Sequence, residues 1–408
     1  MNSNLLKTEV QKFLKDNLTV DHREIALKKS PFPKVSSLEL AQQIKGLQIS
    51  KTKFPFLFET DHIIFPPQIN LEQASSIVTA EYKASLVQGD SLIDLTAGMG
   101  IDAYAFSKKF NWVAAVEKNE KLVEISKHNY KTLQQNNLKY INSDFEKTLN
   151  ENPNANWDVI YLDPARRKNA KKKFLLEDLE PNILDYIDNL TQRSKIVMIK
   201  LSPLFDLKMA TQKIPQIQEI HLVAVKNEMK ELLLICQNKI QENPQIHAVN
   251  LRSNHPKFSF KLNDESQAKV LFSDFKKYIY EPNSAIMKSG AFQFIAEKFE
   301  LYKLEKNTHL YTSDQLIKDF PGRIFECLEE IKNPKKTLKN TAFHIISKNH
   351  PLSVEDIRKK FNIKESENSS LIFTQGIVGK KIIKCKKVEH FDSKNSLYHQ
   401  RFPQLPIK

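Results

Sequence analysis

Between residue 91 and about residue 240, strand-sized apolar runs alternate with amphipathic stretches of helical period, and no other feature restricts the fold as much. The strand-like runs are SLIDL (91–95), WVAAVE (112–117), KYINS (139–143), WDVIYLD (157–163) and KIVMIKLS (195–202). AYAFSKKF (103–110), KLVEISKHNYKTLQQ (121–135) and LEPNILDYIDNL (179–190) read as the helices between them. Strands separated by helices lie parallel with right-handed crossovers, so an α/β sheet covered on both faces is expected. Two further runs, IQEIHLVAVKN (217–227) and EMKELLLICQN (228–238), meet at a short turn around Asn227 and Glu228. Strands joined so directly are antiparallel, which predicts seven strands with the last one reversed.

Outside this core, residues 1–64 read as a helical cap, with apolar residues at helical spacing in LLKTEVQKFL and LELAQQIKGLQI. The core is assigned to residues 65–240 and a small domain to 241–331, with KFSFKL as a strand and SAIMKSGAFQFIAEKF (284–299) as a helix. A final α/β domain at 332–408 holds TAFHIISK, VEDIRKKFNI, SLIFTQ and KKIIKCKKV. No run reaches the roughly 18 apolar residues of a membrane span. The N-terminal segment MNSNLLKTEVQKFLKDNL lacks an export-signal core. Cys236, Cys327 and Cys385 show neither CxxC nor Cys/His ligand spacing, so a reducing cytoplasm and no metal are expected.

Glycine is scarce, eight in 408 residues, yet Gly89, Gly98 and Gly100 fall within twelve positions at the end of the first strand. In DLTAGMGIDA such a turn brings backbone amides and the following helix N-terminus close to an anionic group. Glu117, ending the second strand, is placed to accept hydrogen bonds from both hydroxyls of a ribose, and Asp144, after the third, from an adenine amino group. Gly98-x-Gly100-x-x-Ala103 also satisfies a dinucleotide fingerprint, so NAD competes with S-adenosylmethionine. Asp94, four residues before Gly98, and the reversed terminal strand favour S-adenosylmethionine.

The fourth strand runs into DPARRKNAKKKF and puts Asp163, Pro164 and Arg166 at the carboxyl edge of the sheet, where open α/β folds bind ligands. Methyl transfer is an in-line displacement without a covalent enzyme intermediate, so a carboxylate and a carbonyl that align the acceptor suffice. Arg166, Arg167, Lys168, Lys171, Lys172 and Lys173 set six cations in eight residues beside Asp163. With a net charge of +14, this favours a polyanionic partner, and Arg167, Lys168, Lys171 and Lys172 are the candidate substrate contacts.

The chain resembles bacterial class I methyltransferases with a small ferredoxin-like insertion and a C-terminal THUMP-like domain. The resemblance lies in FPPQINLEQASSIVTAEYKA (65–84), DLTAGMGIDA (94–103), YLDPARR (161–167), KLSPLFD (200–206) and VKNEMKELLL (225–234). It continues through YEPNSAIMKSGAF (280–292), NTHLYTS (307–313), FPGRIFE (320–326) and NHPLSVEDIRKK (349–360). It implies a Rossmann-like core, S-adenosylmethionine at Asp94, Gly98, Gly100 and Glu117, and a terminal domain similar to RNA-binding modules; Thr96, inside the same turn, is a further candidate cofactor contact. RNA methylation is thus the expected activity, with a small-molecule methyltransferase and an inactive nucleic-acid-binding fold as rivals. DPAR resembles a motif of 5-methyluridine enzymes, but these need a cysteine that KIVMIKLSP lacks. In many base-amine enzymes an aromatic residue follows Asp-Pro-Pro where this chain has Arg166.

Overall fold

The N-terminal apolar spacing produces α1 (Thr8–Asp16), α2 (His22–Leu27) and α3 (Ser37–Lys53), followed by α4 (Pro55–Phe58), α5 (Gln68–Gln73) and α6 (Ile77–Ser85). A capping box starts α3: Glu39 N–H donates to Ser36 Oγ and Ser36 N–H to the Glu39 carboxylate. The apolar spacing over 71–87 is helical throughout, but α5 and α6 are separate because Ser76 caps α6 by accepting from Thr79 N–H. This computed structural model describes residues 1–166, 175–367 and 369–389. These described residues fall into two units, one within 1–220 and 231–244 and the other within 221–230 and 245–389.

In the first unit the alternating pattern gives β1 (Ser91–Asp94), α7 (Ile101–Ser107), β2 (Trp112–Glu117), α8 (Glu120–Thr132), β3 (Leu138–Asn142), α9 (Phe145–Glu151) and β4 (Trp157–Leu162). The short β5 (Ala165–Arg166) and β6 (Leu179–Glu180) follow, then α10 (Ile187–Gln192), β7 (Ser194–Leu201), α11 (Leu207–Lys213), β8 (Ile217–Val225) and β9 (Glu228–Cys236). The sheet order is β3-β2-β1-β4-β7-β9-β8. β1 pairs in parallel with β2 and β4, and β4 with β7, whereas β9 runs antiparallel to β7 with Val197 opposite Cys236. Buried amides fasten the helical cap to this core. Asn129 of α8 bonds both the N–H and the carbonyl of Ile64, at 2.9 and 2.8 Å, and Gln43 of α3 does the same for Phe65. A buried extended segment thereby keeps its polar groups paired.

Two of the sequence expectations for this sheet change. Residues 179–190 are not one helix: Leu179 and Glu180 pair with Arg166 and Ala165, Pro181 follows, and helix is confined to a 3-10 turn at Ile183–Asp185 and to α10. β8 turns into β9 through Lys226 and Asn227, both at positive φ as a tight hairpin requires. The strand order also includes β10 (Gln245–Leu251) and β11 (Phe258–Lys261), nine strands where seven are expected.

The second unit continues with α12 (Asp264–Gln267), β12 (Leu271–Phe272), β13 (Tyr278–Pro282), α13 (Ser284–Ser289), α14 (Phe294–Lys298), β14 (Tyr302–Glu305), β15 (Thr308–Ser313) and β16 (Gly322–Glu330). It ends with α15 (Pro334–Thr337), β17 (His344–Lys348), α16 (Val354–Phe361), β18 (Ser370–Gln375) and β19 (Lys380–Val388). Its own sheet runs β12-β14-β15-β13-β16-β19-β18-β17 over Ile279, Leu304, Leu310, Phe325, Ile372 and Ile383. The helix expected over 284–299 is split into α13 and α14 because Gly290 turns left-handed (φ +77). Cys327 and Cys385, remote in sequence, are free thiols directly opposite each other on β16 and β19. Among the described residues no helix is long and apolar enough to cross a membrane.

His309 on β15 stacks on Phe292 with ring centroids 3.7 Å apart. Burial, with Lys303 and Lys348 adding, pushes its pKa down from 6.5 to about 4. Between these values the unfolded chain binds the extra proton, so stability rises with pH and is lost as pH falls through this window. Urea midpoints at pH 7 and pH 5 should therefore differ less for His309→Gln than for the wild type; an equal difference contradicts this assignment.

Candidate active site

β1 ends at Asp94, which is buried (1% exposed) and accepts from Thr96 N–H at 3.0 Å. Burial pushes its carboxyl well above the usual carboxylate range, and the carboxylates of Asp102, Asp163 and Glu117 push the same way against the Thr96 hydrogen bond. The turn then uses two left-handed glycines for different ends. At Gly98 (φ +57) a Cβ would meet nothing within 4 Å, whereas at Gly100 (φ +82) it would lie 1.8 Å from the Tyr140 hydroxyl. Gly98 thus borders open space and Gly100 borders packed protein. Glu117, at the end of β2, accepts from Gly98 N–H at 3.1 Å and Asn119 N–H at 2.7 Å, which ties the second strand to the turn. Phe56, Tyr104, Tyr130 and Tyr140 stack in series behind it at 4.2, 5.7 and 5.9 Å. Asp144 is exposed and caps α9 through Lys147 N–H at 2.7 Å.

β4 delivers Asp163 to the same edge. Its N–H donates to Thr96 Oγ1 at 2.6 Å, and its carboxylate forms an ion pair with Lys200 of β7. Pro164 is buried, and Arg166 is fixed through its backbone pairing with Leu179. The structure therefore links Asp94, Thr96 and Asp163 through consecutive hydrogen bonds and joins Gly98 directly to Glu117. The side chain of Arg166 and all of Arg167, Lys168, Lys171 and Lys172 lie outside the described residues.

Behind Asp163 lies a charged cluster that the sequence pattern does not announce. Lys83 of α6, with no exposed surface, donates to both carboxylate oxygens of Glu231 on β9 at 2.9 and 2.8 Å and to Ser75 Oγ at 3.1 Å. Its ammonium is also 3.2 Å from Asp102 Oδ1 on α7, while Ser75 and Tyr161 each donate to Oδ2 at 2.8 Å. Burial raises the carboxyl of Glu231 in spite of Lys83 and Lys200. At Asp102 burial also acts upward, but the two lysines and the hydroxyl donors win and hold it below its usual value. Glu231 opening ELLLIC and Lys200 inside KIVMIKLS were the available signals, because charged residues in otherwise apolar strands require buried partners.

The sheet order, the antiparallel strand between β7 and β8, and acids closing β1 and β2 define the class I methyltransferase fold. A model described as conserved hypothetical protein 95 matches residues 76–239, a ferredoxin-like domain model matches 278–321, and a THUMP domain-like model matches 322–387. The crystal structure of a proposed methyltransferase from Porphyromonas gingivalis W83 is similar over 95% of this chain and 99% of that one, at 30% identity and a TM-score of 0.85. Uncharacterized S-adenosylmethionine-dependent methyltransferases from Mycobacterium tuberculosis strains H37Rv and CDC 1551 are 19% identical over 312 residues, covering 75% of this chain and 83% of theirs. The chain belongs to the family of S-adenosylmethionine-dependent methyltransferases that carry ferredoxin-like and THUMP-like domains.

Two predictions follow from the packing. Lys83→Met leaves two buried carboxylates without their ammonium and should lower unfolding stability by about 3–5 kcal/mol in urea titrations; a loss below about 1 kcal/mol would show that the cluster is not a structural tie. Gly98→Ala carries left-handed strain of roughly 1–2 kcal/mol, while Gly100→Ala adds the collision with Tyr140. Thermal denaturation should rank Gly100→Ala as the less stable variant, and the reverse order would contradict the two roles.

Proposed function

We propose that this protein transfers a methyl group from S-adenosylmethionine to a base of a structured RNA, with Asp163 aligning the acceptor. The observation that carries this reading is the placement of Asp163, held through Thr96 and Lys200, at the sheet edge that also presents the Gly98–Glu117 turn. The donor set suits the cofactor: open space beside a left-handed glycine admits close approach, and a carboxylate at the end of β2 can accept from two ribose hydroxyls. When bound, S-adenosylmethionine supplies an electrophilic methyl group on a sulfonium.

Glu117 holds the ribose, Asp94, Thr96, Gly98 and Gly100 shape the turn around the amino-acid portion, and Asp144 accepts from the adenine amino group. Asp163 and the Pro164 carbonyl accept hydrogen bonds from the N–H groups of the acceptor nitrogen and so direct its lone pair, an alignment role that needs no covalent intermediate. Arg166 sits at this edge, while Arg167, Lys168, Lys171 and Lys172 contact phosphates. The RNA assignment is supported by six cations in eight residues beside Asp163, by the net charge of +14, and by the THUMP-like match over 322–387. A cytoplasmic location agrees with three cysteines that form no disulfide among the described residues.

The test offers labelled S-adenosylmethionine to total tRNA, total rRNA, DNA and a metabolite extract, using wild type and Asp163→Ala. Label should enter one RNA pool and fall by about 100-fold or more in the variant, with cofactor affinity by calorimetry within about twofold. Glu117→Ala should instead weaken cofactor binding by roughly 10–100-fold, the loss of hydrogen bonds to a charged acceptor. Label confined to the metabolite extract overturns the RNA assignment. Cofactor binding without transfer to any pool points to a nucleic-acid-binding protein with an inactive fold.

A further inference from the structure

We propose that Lys200 is a positioning residue for methyl transfer, which holds the Asp163 carboxylate in its working orientation from behind. The proposal rests on the methyl-transfer reading of Asp163 given above. β4 and β7 are parallel neighbours, and the pairing of Leu162 with Ile199 brings the next residue of each strand, Asp163 and Lys200, level at the carboxyl edge. The Lys200 ammonium is paired with Asp163 Oδ2. The two side chains differ in surroundings: that of Lys200 is 14% exposed and that of Asp163 34%, so the cation lies inward and the carboxylate outward.

An ammonium in that position needs compensation. Burial acts to discharge Lys200, but Asp163, Asp102 and Glu231 together outweigh it and keep the side chain charged. Lys83 already supplies the direct contacts to Glu231 and Asp102, whereas the ion pair of Lys200 is made with Asp163. Lys200 therefore turns the field of two buried acids into a fixed contact on the one carboxylate that faces outward. With Thr96 holding the Asp163 backbone and Lys200 one carboxylate oxygen, the carboxylate is ordered before an acceptor arrives, which removes an ordering cost from the transfer step.

The test uses the full chain with Lys200→Met, Lys200→Gln and Lys200→Arg, alone and combined with Asp163→Asn. In labelled-methyl assays with the RNA pool that wild type modifies, Lys200→Met should lower kcat by about 10–100-fold, as a small displacement of an aligning group does. KM and cofactor affinity should stay within about threefold, and Lys200→Arg should recover most of the lost rate. In the Asp163→Asn background the same substitution should cost little more, since both changes remove one function. If Lys200→Met does not fold, Lys200→Gln is read by the same criteria. A second readout needs no acceptor: in chains carrying 13C in aspartate carboxyls, the signal lost in Asp163→Asn should move in Lys200→Met and return in Lys200→Arg. An unmoved signal, or equal rate losses with and without the Asp163 carboxylate, overturns the proposal. If wild type labels no pool, the transfer reading has failed, and the carboxyl signal alone decides whether Lys200 orders Asp163.

Discussion

The first unit is organised around the burial of an ammonium, that of Lys83, between two carboxylates of distant parts of the chain. Glu231 comes from the reversed strand β9, Asp102 from the helix that follows the glycine turn, and Lys83 from the helix that precedes β1. Each charge alone would be costly to remove from water, and each becomes tolerable only when the other elements are in place. The cluster makes helix, sheet and turn mutually dependent, and its hydrogen bonds to Ser75 and Tyr161 fix Asp102 at the beginning of α7. Hydrophobic burial around Leu92, Val113, Val159 and Met198 supplies bulk stability without comparable direction.

From this arrangement the working edge of the sheet follows. β1, β2 and β4 end side by side, so Asp94, Glu117 and Asp163 emerge together although 23 and 46 positions separate them along the chain. Hydrogen bonds, rather than proximity alone, connect them. Thr96 answers to both Asp94 and Asp163, and Glu117 to the amide of Gly98. A change at one strand end therefore reaches the turn at which cofactor binding is proposed.

Much of this was legible in the sequence because periodicity reports burial. Five apolar runs of strand length and a two-residue reversal marked the core strands and the reversed one, and scarce glycines gathered at residues 89–100 marked the turn. What was not legible depends on contacts between remote segments. The apolar spacing of 179–190 suits a helix, but pairing of Leu179 and Glu180 with residues 165–166 prevails. Gly290 divides the helix over 284–299, and β10 and β11 extend the sheet where local sequence gives no sign of partners. Lys83, Asp102 and Glu231 could each be seen as charged, but their union could not, because spacings of 19 and 129 residues carry no periodic signal. Asp144, proposed above as a ligand contact from its position after β3, also caps α9 through one carboxylate oxygen, a role that only the structure shows.

The central claim is that the Gly98–Glu117 edge of the first unit binds S-adenosylmethionine beside Asp163. A crystal structure of the full chain with S-adenosylhomocysteine tests it most directly. The account predicts ribose hydroxyls on the Glu117 carboxylate, the amino-acid portion against the open side of Gly98, and the sulfur facing Asp163. A ligand bound away from this edge, or one that leaves Glu117 without a ribose contact, would contradict it.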